Sequence, residues 1–111
     1  MTTSTSSRQK RARLSPEDFL QELHESTQDV SKNCAAIFVL QLNRSDRISA
    51  LAQDVASMAV MKQTVGRIDP LLKSNDFYAV VAHDEMWILL RDLPSESIAT
   101  LAAAGFREAL R

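Results

Sequence analysis

The chain has 111 residues, of which 45% are hydrophobic and 24% charged, and this length is enough for one globular domain. The formal net charge of -1 gives no whole-chain electrostatic case for binding nucleic acid or an anionic membrane, and no apolar run approaches the length of a membrane span. Cys34 is the one cysteine, which excludes a disulfide framework and fits a reducing cytosol; we expect it to be a small core residue. The chain has two histidines and two glycines, too few for a multi-histidine metal site or a glycine-rich phosphate loop. No cofactor is predicted.

Two segments are predicted before the main domain. Residues 1–14 form a basic, Ser/Thr-rich leader with nothing to bury, and we expect it to be disordered. Residues 15–32 form an N-terminal helix, in which Ser15 is the N-cap and Pro16 occupies the first helical position. The narrow apolar stripe of this helix comprises Phe19, Leu20, Leu23 and Val30.

Residues 33–111 are predicted to form a domain that begins with a strand and a helix. The continuous apolar run over 35–42 predicts a strand buried on both faces. A helix is predicted over 46–68, broken near Gly66 and ended by Asp69-Pro70. Its residues at helical spacing are Ile48, Leu51, Ala52, Val55, Met58, Ala59, Lys62, Val65 and Ile68.

A β-hairpin and a last helix complete the predicted domain. The hairpin runs from about Asp76 to Arg91 and has the acidic turn Ala82-His83-Asp84-Glu85-Met86 at its tip, between two apolar runs. The last helix opens at Leu93-Pro94-Ser95-Glu96. Its inward face is predicted to comprise Ile98, Leu101, Ala102, Phe106 and Leu110.

This order of elements, a helix followed by β-α-β-β-α, predicts a ferredoxin-like or nucleotide-cyclase-like α+β fold with one helical layer over a mixed sheet. In that fold a fourth strand pairs with the free side of the first strand. No fourth strand is predicted before Arg111, so the edge of the run over 35–42 needs a cover. We expect the cover to be the rest of a longer protein, a second copy of the chain, or a partner protein that adds a strand.

Residues 35–110 resemble the first two thirds of a GGDEF domain, the fold of bacterial diguanylate cyclases. Leu40-Gln41-Leu42-Asn43 stands where the family carries Leu-Asp-x-Asp, and Asp76-Phe77-Tyr78-Ala79 matches the Asp that leads into the signature strand. Residues 82–86 occupy the signature, and Asp92-Leu93-Pro94-Ser95 is similar to the entry of the following helix. The resemblance implies a cytoplasmic bacterial protein of cyclic di-GMP signalling, in a family whose long chains often continue into an EAL phosphodiesterase domain.

The resemblance also implies that the cyclase chemistry is lost. Positions that hold metal, phosphate and guanine in active members carry unsuited side chains here, namely Gln41, Ala82, His83, Ser49 and Met58. Asp84, at the second metal position, and Glu85 are the signature acids that persist. We therefore predict no catalytic residues and no bound metal, with Gln41 and Asp84 as remnants of the metal site.

Four functions are left open. The favoured one is a catalytically inactive regulatory or scaffolding module that acts through protein–protein contacts, without nucleic acid or membrane as a partner. Its possible interface residues are Phe19, Leu23, Phe38 and Trp87. The second is a receptor for cyclic di-GMP or GTP, because Lys73-Ser74-Asn75-Asp76 resembles the family's product-binding Arg-x-x-Asp and places Lys73 and Asp76 as ligands. The third is a weak enzyme that uses Asp84 and Glu85, and the fourth is an unrelated small α+β dimerisation domain.

Overall fold

A computed structural model describes residues 12–28, 34–42 and 50–110 of the protein. It contains helices, strands and one 3-10 helix in the order α1 (Pro16–Gln28), β1 (Cys34–Gln41), α2 (Ala50–Ile68), 3-10 helix (Asp69–Leu71), β2 (Phe77–Ala82), β3 (Glu85–Leu93) and α3 (Glu96–Ala109). The α+β class and the predicted order of these elements are confirmed. The predictions for residues 1–11, 29–32, Asn43 and 46–49 lie outside the described residues, as does the predicted packing of the Leu51 side chain.

The three strands form one antiparallel sheet in the order β1-β3-β2, where the sequence predicts a mixed sheet. β3 pairs with both of the other strands and is therefore the centre of the sheet. Residues 12–14 lie beside β2, where Arg13 forms a parallel bridge to Tyr78 outside the named strands. This corrects the prediction of a disordered leader with nothing to bury for these three residues, because Ala12 is buried in the core and the backbone of Ala12 and Leu14 is hydrogen-bonded to Tyr78. β1 lies at the opposite edge, and within the described residues no strand pairs with its outer side.

Helices cover both faces of this sheet. On one face α2 and α3 enclose the larger core cluster, whose buried members include Met61, Ile68, Tyr78, Met86, Ile88, Leu90 and Phe106. On the other face α1 encloses a smaller cluster formed by Phe19, Ala79 and Leu89. The β-α-β-β-α part has its two helices on one face of the sheet, as predicted. Alternate side chains of β2 and β3 point to opposite faces, so both strands also present apolar residues on the other face, and α1 packs there as a second layer.

The N-terminal helix is capped and anchored as its sequence predicts. The Ser15 Oγ accepts a hydrogen bond of 3.1 Å from the backbone N–H of Asp18, which confirms Ser15 as the N-cap. Phe19 is 0% exposed and provides the apolar anchor of the helix. An ion pair of 3.0 Å between Arg91 Nη1 and Glu22 Oε1 joins the helix to β3; because both side chains are partly exposed, it adds at most about 1 kcal/mol.

The buried face of α2 differs from the predicted one. The helix continues through Gly66 to Ile68 without the predicted break. Its buried residues are Ser57, Met61, Thr64 and Ile68, whereas the predicted members Ala52, Val55, Met58 and Ala59 are exposed. The apolar pattern does not predict the buried face correctly because two hydroxyl residues, Ser57 and Thr64, lie on it. Thr64 Oγ1 donates to the carbonyl oxygen of Val60 at 2.9 Å, so its hydroxyl is satisfied inside the helix.

Three other burial predictions are wrong. β1 is not buried on both faces: its side chains alternate, and Ile37 and Val39 are 46% and 58% exposed. Cys34 at the start of β1 is exposed and is not a core residue. In α3 Phe106 is buried as predicted, but Leu101 is exposed. The reason at β1 is that α1 packs against residues of β2 and β3 and leaves the corresponding face of β1 uncovered.

Phe19→Ala is predicted to lower the free energy of unfolding by about 3–5 kcal/mol, because it removes a fully buried ring from the cluster under α1. The matched control is Leu20→Ala, which truncates the neighbouring side chain, half of whose surface is exposed; we expect a change within about 0.5 kcal/mol. Urea unfolding followed by tryptophan fluorescence measures both. Equal effects of the two substitutions would contradict the placement of α1.

Candidate functional site

The hairpin tip lies where the sequence predicts it. His83 and Asp84 form the turn between β2 and β3, and Ala82 lies opposite Glu85 across it. None of the tip residues has a positive φ, so this turn accommodates side chains without needing glycine. Ala82 and His83, which the GGDEF resemblance matches to the signature glycines, are both exposed.

Gln41 and Asp84, which the GGDEF resemblance predicts as remnants of a metal site, lie at one end of the sheet. Gln41 pairs with Glu85 across β1 and β3, and the next residue of the chain, Leu42, donates its backbone N–H to the Asp84 carbonyl oxygen at 2.7 Å. Glu85 Oε2 accepts a hydrogen bond of 2.6 Å from Trp87 Nε1, so this carboxylate is used within β3. Within the described residues no three His, Cys, Asp or Glu side chains are grouped so as to hold a metal ion.

The Asp76 carboxylate accepts hydrogen bonds from two backbone N–H groups of the fold. Its side chain is buried, with 6% of the residue exposed. Its Oδ2 accepts from the backbone N–H of Lys73 at 2.8 Å, and its Oδ1 accepts from the backbone N–H of Arg91 at 3.3 Å. The structure thus brings Lys73 and Asp76 together, but both carboxylate oxygens bind backbone groups and hold the turn before β2 against β3.

A cavity of about 390 Å³ adjoins this turn, between the end of β3 and α3, and Lys73 and Asp76 are among its lining residues. Asp92, on its wall, has a φ of 58° and lies in the left-handed region, which Asp tolerates better than most residues. Its Oδ2 accepts a hydrogen bond of 2.7 Å from Asn75 Nδ2. The polar wall of the cavity is therefore fixed by contacts within the chain.

A second pocket, of about 510 Å³, lies between α2 and the hairpin and is lined by Arg13, Met58, Met61, Lys62, Val65, Val80, Val81, Ala82 and His83. It joins Met58, Ala82 and His83, three positions that the GGDEF resemblance predicts to have lost nucleotide contacts. It also contains Arg13 and Lys62, which sequence reasoning missed. The spacing of Lys62, four residues after Met58, is a signal that could have placed both on one side of α2. Arg13 gives no such signal, because the bridge to Tyr78 places it.

Tyr78 lies on β2 beside this pocket, and its surroundings raise the pKa of its phenol. Burial is the largest cause that raises the pKa of Tyr78 to about 12; the charge of Asp69 and a hydrogen bond of 3.1 Å to Asp69 Oδ2 add to it. The positive charge of Arg13 acts in the opposite direction and lowers the pKa. Asp69, directly after α2, is thus tied to β2 by a neutral phenol that donates to it.

The predicted interface residues pack inside the chain. Phe19 is fully buried and is not available to a partner, which corrects the prediction. Leu23 is half-buried against the same cluster, and the Trp87 ring lies 6.0 Å from that of Phe19. Phe38 is also half-buried, in an edge-to-face contact with Phe106 at 5.3 Å. Each of these aromatic rings therefore packs against other side chains of the chain.

Exposed apolar side chains are found instead on the other face of β1. Val39 lies opposite Trp87 and Ile37 opposite Leu89, so both share the face that α1 covers elsewhere. Together with the outer edge of β1 they form what we term the β1 surface, namely the strand Cys34–Gln41 with Ile37 and Val39 facing outward. An apolar strand with an open edge is a site for pairing with another chain.

Comparisons of the chain with protein-family models, with curated proteins and with solved structures gave no match. No helix among the described residues is long and apolar enough to cross a membrane.

Tyr78 is the one tyrosine of the chain, so an ultraviolet titration of tyrosinate reports on it directly. We expect a midpoint at about pH 12 in the folded protein and near the ordinary value of about 10 in denaturant. Because the folded pKa is the higher one, the stability linked to Tyr78 is complete below pH about 10 and is lost as the pH rises towards 12. Asp69→Asn should lower the folded midpoint, and an unchanged midpoint would contradict the coupling.

Proposed function

We propose that this chain is a catalytically inactive GGDEF-like regulatory or scaffolding module of bacterial cyclic di-GMP signalling, which acts in the cytoplasm through protein–protein contacts. Support for the signalling context comes from the resemblance of residues 35–110 to the GGDEF pattern. Support for action through protein contacts comes from one structural observation, the β1 surface. The partner is a protein that supplies an extended segment.

The β1 surface has the properties that strand addition needs. Its eight residues contain no proline and no charged side chain, which are two of the devices with which natural proteins block an edge. Within the described residues its outer backbone groups have no strand partner, so they are free to bond to an added strand. Ile37 and Val39 would supply the side-chain contacts, because alternate residues of a paired strand share one face.

The absence of catalysis in this proposal is supported by the chemistry of the remnant cleft. Gln41 lacks the charge of a carboxylate, and Met58 offers a base edge no useful hydrogen bond. Glu85 is bonded to the Trp87 indole. Each lost polar contact costs a ligand about 1–3 kcal/mol, and about 1.4 kcal/mol is a tenfold change in affinity, so a triphosphate would bind weaker by orders of magnitude.

A photoreactive crosslinker attached to Cys34 tests the protein contact, because this exposed thiol is the one cysteine and stands at the start of β1. In an extract of the native host we expect covalent capture of a defined protein. Val39→Lys should reduce the capture at least about tenfold, since a lysine charge would have to be buried under the added strand. The matched control is Leu101→Lys, which adds the same charge at an exposed apolar residue of α3 and should leave the capture unchanged.

The contact proposal fails if Val39→Lys and Leu101→Lys lower the yield to the same extent, or if neither does. Circular dichroism of both variants verifies that they fold. Both side chains are exposed, so we expect unfolding temperatures close to that of the unmodified chain.

The receptor is the second candidate, because Lys73 and Asp76 lie together on the wall of a cavity. Asp76 accepts hydrogen bonds from the backbone N–H groups of Lys73 and Arg91, which argues against its use as a ligand. Titration calorimetry with cyclic di-GMP decides: we expect no heat. Micromolar binding that is lost in Lys73→Ala and kept in Lys62→Ala would establish the receptor instead.

Two further measurements test for enzyme activity and for simple dimerisation. Incubation with GTP and magnesium should yield no product, and a detectable dinucleotide product would assign enzyme activity to Asp84 and Glu85. Light scattering reports the oligomeric state. A stable dimer without any ligand heat and without a captured partner would favour a simple dimerisation domain.

A further inference from the structure

The pocket between α2 and the hairpin has the size and the walls of a small-molecule site. Its volume of about 510 Å³ lies within the range of about 300–1,000 Å³ that is usual for ligand pockets. Met58, Met61, Val65 and Val80 give it an apolar interior. Methionine side chains adapt to the shape of a bound group, and Met58 is 57% exposed, so it can move to accommodate one.

The polar groups of this pocket are all of the basic type. Arg13, Lys62 and His83 reach it from three separate parts of the fold, namely the segment beside β2, the helix α2 and the hairpin tip. None of the nine lining residues is acidic, and Asp84, which follows His83, does not line the pocket. Within the described residues, no hydrogen bond or ion pair joins these three side chains to a neighbour. The positive charges of Arg13 and Lys62 are therefore not neutralised inside the pocket.

This combination favours a ligand with an anionic head and an apolar body. A carboxylate or phosphate head would form charge-assisted contacts with Arg13 and Lys62 at the rim. An aliphatic or aromatic body would cover the methionine and valine side chains and leave water. A nucleotide base fits this interior poorly, because Met58 and the valines cannot satisfy the hydrogen-bonding groups on its edge.

We propose that this pocket binds a small amphipathic organic acid, with its anionic head between Arg13 and Lys62 and its apolar body against Met58 and Met61. The proposal is independent of the proposed protein contact. Ile37 and Val39 of the β1 surface lie on the opposite face of the sheet, so either proposal can fail without the other.

Methyl NMR with labelled methionine tests it, with octanoate as the probe and 1-octanol as its neutral counterpart. The chain has four methionines, of which Met58 and Met61 line the pocket and Met86 is fully buried elsewhere in the core. We expect octanoate to shift the Met58 and Met61 signals in a saturable way, with Met86 much less affected. Octanol should bind about tenfold more weakly, because it lacks the charge.

The charge variants provide the second arm. Arg13→Gln combined with Lys62→Gln should raise the dissociation constant of octanoate about tenfold and leave that of octanol unchanged. Arg107→Gln, which removes one charge from an exposed position on α3 outside both cavities, is the control and should have no effect.

Three results would overturn the proposal. Equal binding of octanoate and octanol would reduce the pocket to an apolar surface. If the double variant binds octanoate as tightly as the unmodified chain, Arg13 and Lys62 do not bind the anionic head. Co-sedimentation with phosphatidylglycerol vesicles, lost in the double variant and without saturable octanoate shifts, would assign these cations to a lipid surface instead of a small acid.

Discussion

The fold depends on the burial of β3 on both of its faces. Met86 and Ile88 are fully buried under α2 and α3, and Leu89 is fully buried under α1. The strand is also bonded along both edges, to β1 and to β2. A polar side chain at any of these three positions would lose its water without gaining a partner, at a cost of about 1–3 kcal/mol beyond the lost packing. The hairpin tip and the first cavity adjoin this strand, and β2, which lines the second pocket, pairs with it.

Local signals made the order of elements predictable. Ser15 and Pro16 specify the start of α1, and two apolar runs around a polar turn specify the hairpin. Burial was less predictable, because it depends on which layer covers a surface. The run over 35–42 has the composition of a strand buried on both sides, yet α1 packs on β2 and β3 and leaves Ile37 and Val39 exposed. In α2 the internal bond of Thr64 lets a hydroxyl face the core, which an apolar pattern cannot register.

The sequence indicated which residues lie at the candidate sites, but it indicated few of the contacts that those residues make. The bond between Glu85 and Trp87 follows from strand geometry, since residues two apart share a face, and this signal was available in the sequence. The bond from Asp76 to Arg91 spans fifteen residues and depends on the pairing of β2 with β3. Arg13 reaches its pocket only through a bridge to Tyr78, which no local pattern specifies. Contacts between distant segments are therefore what the structure adds.

Four acidic side chains are bonded inside the fold, whereas the two candidate surfaces carry apolar and basic groups. Asp69, Asp76 and Glu22 are each bonded to a partner on another element, and Glu85 is bonded to Trp87 within β3. Such groups cannot be recruited by a ligand without loss of an internal contact, whereas the β1 surface and the pocket at Arg13 and Lys62 carry no such cost. These two surfaces lie on opposite faces of a sheet whose central strand is tightly packed. Coupling between them would need an element with two arrangements, and β3, held on both faces and both edges, is poorly suited to be one. A protein on β1 and an acid in the pocket should consequently bind with additive free energies.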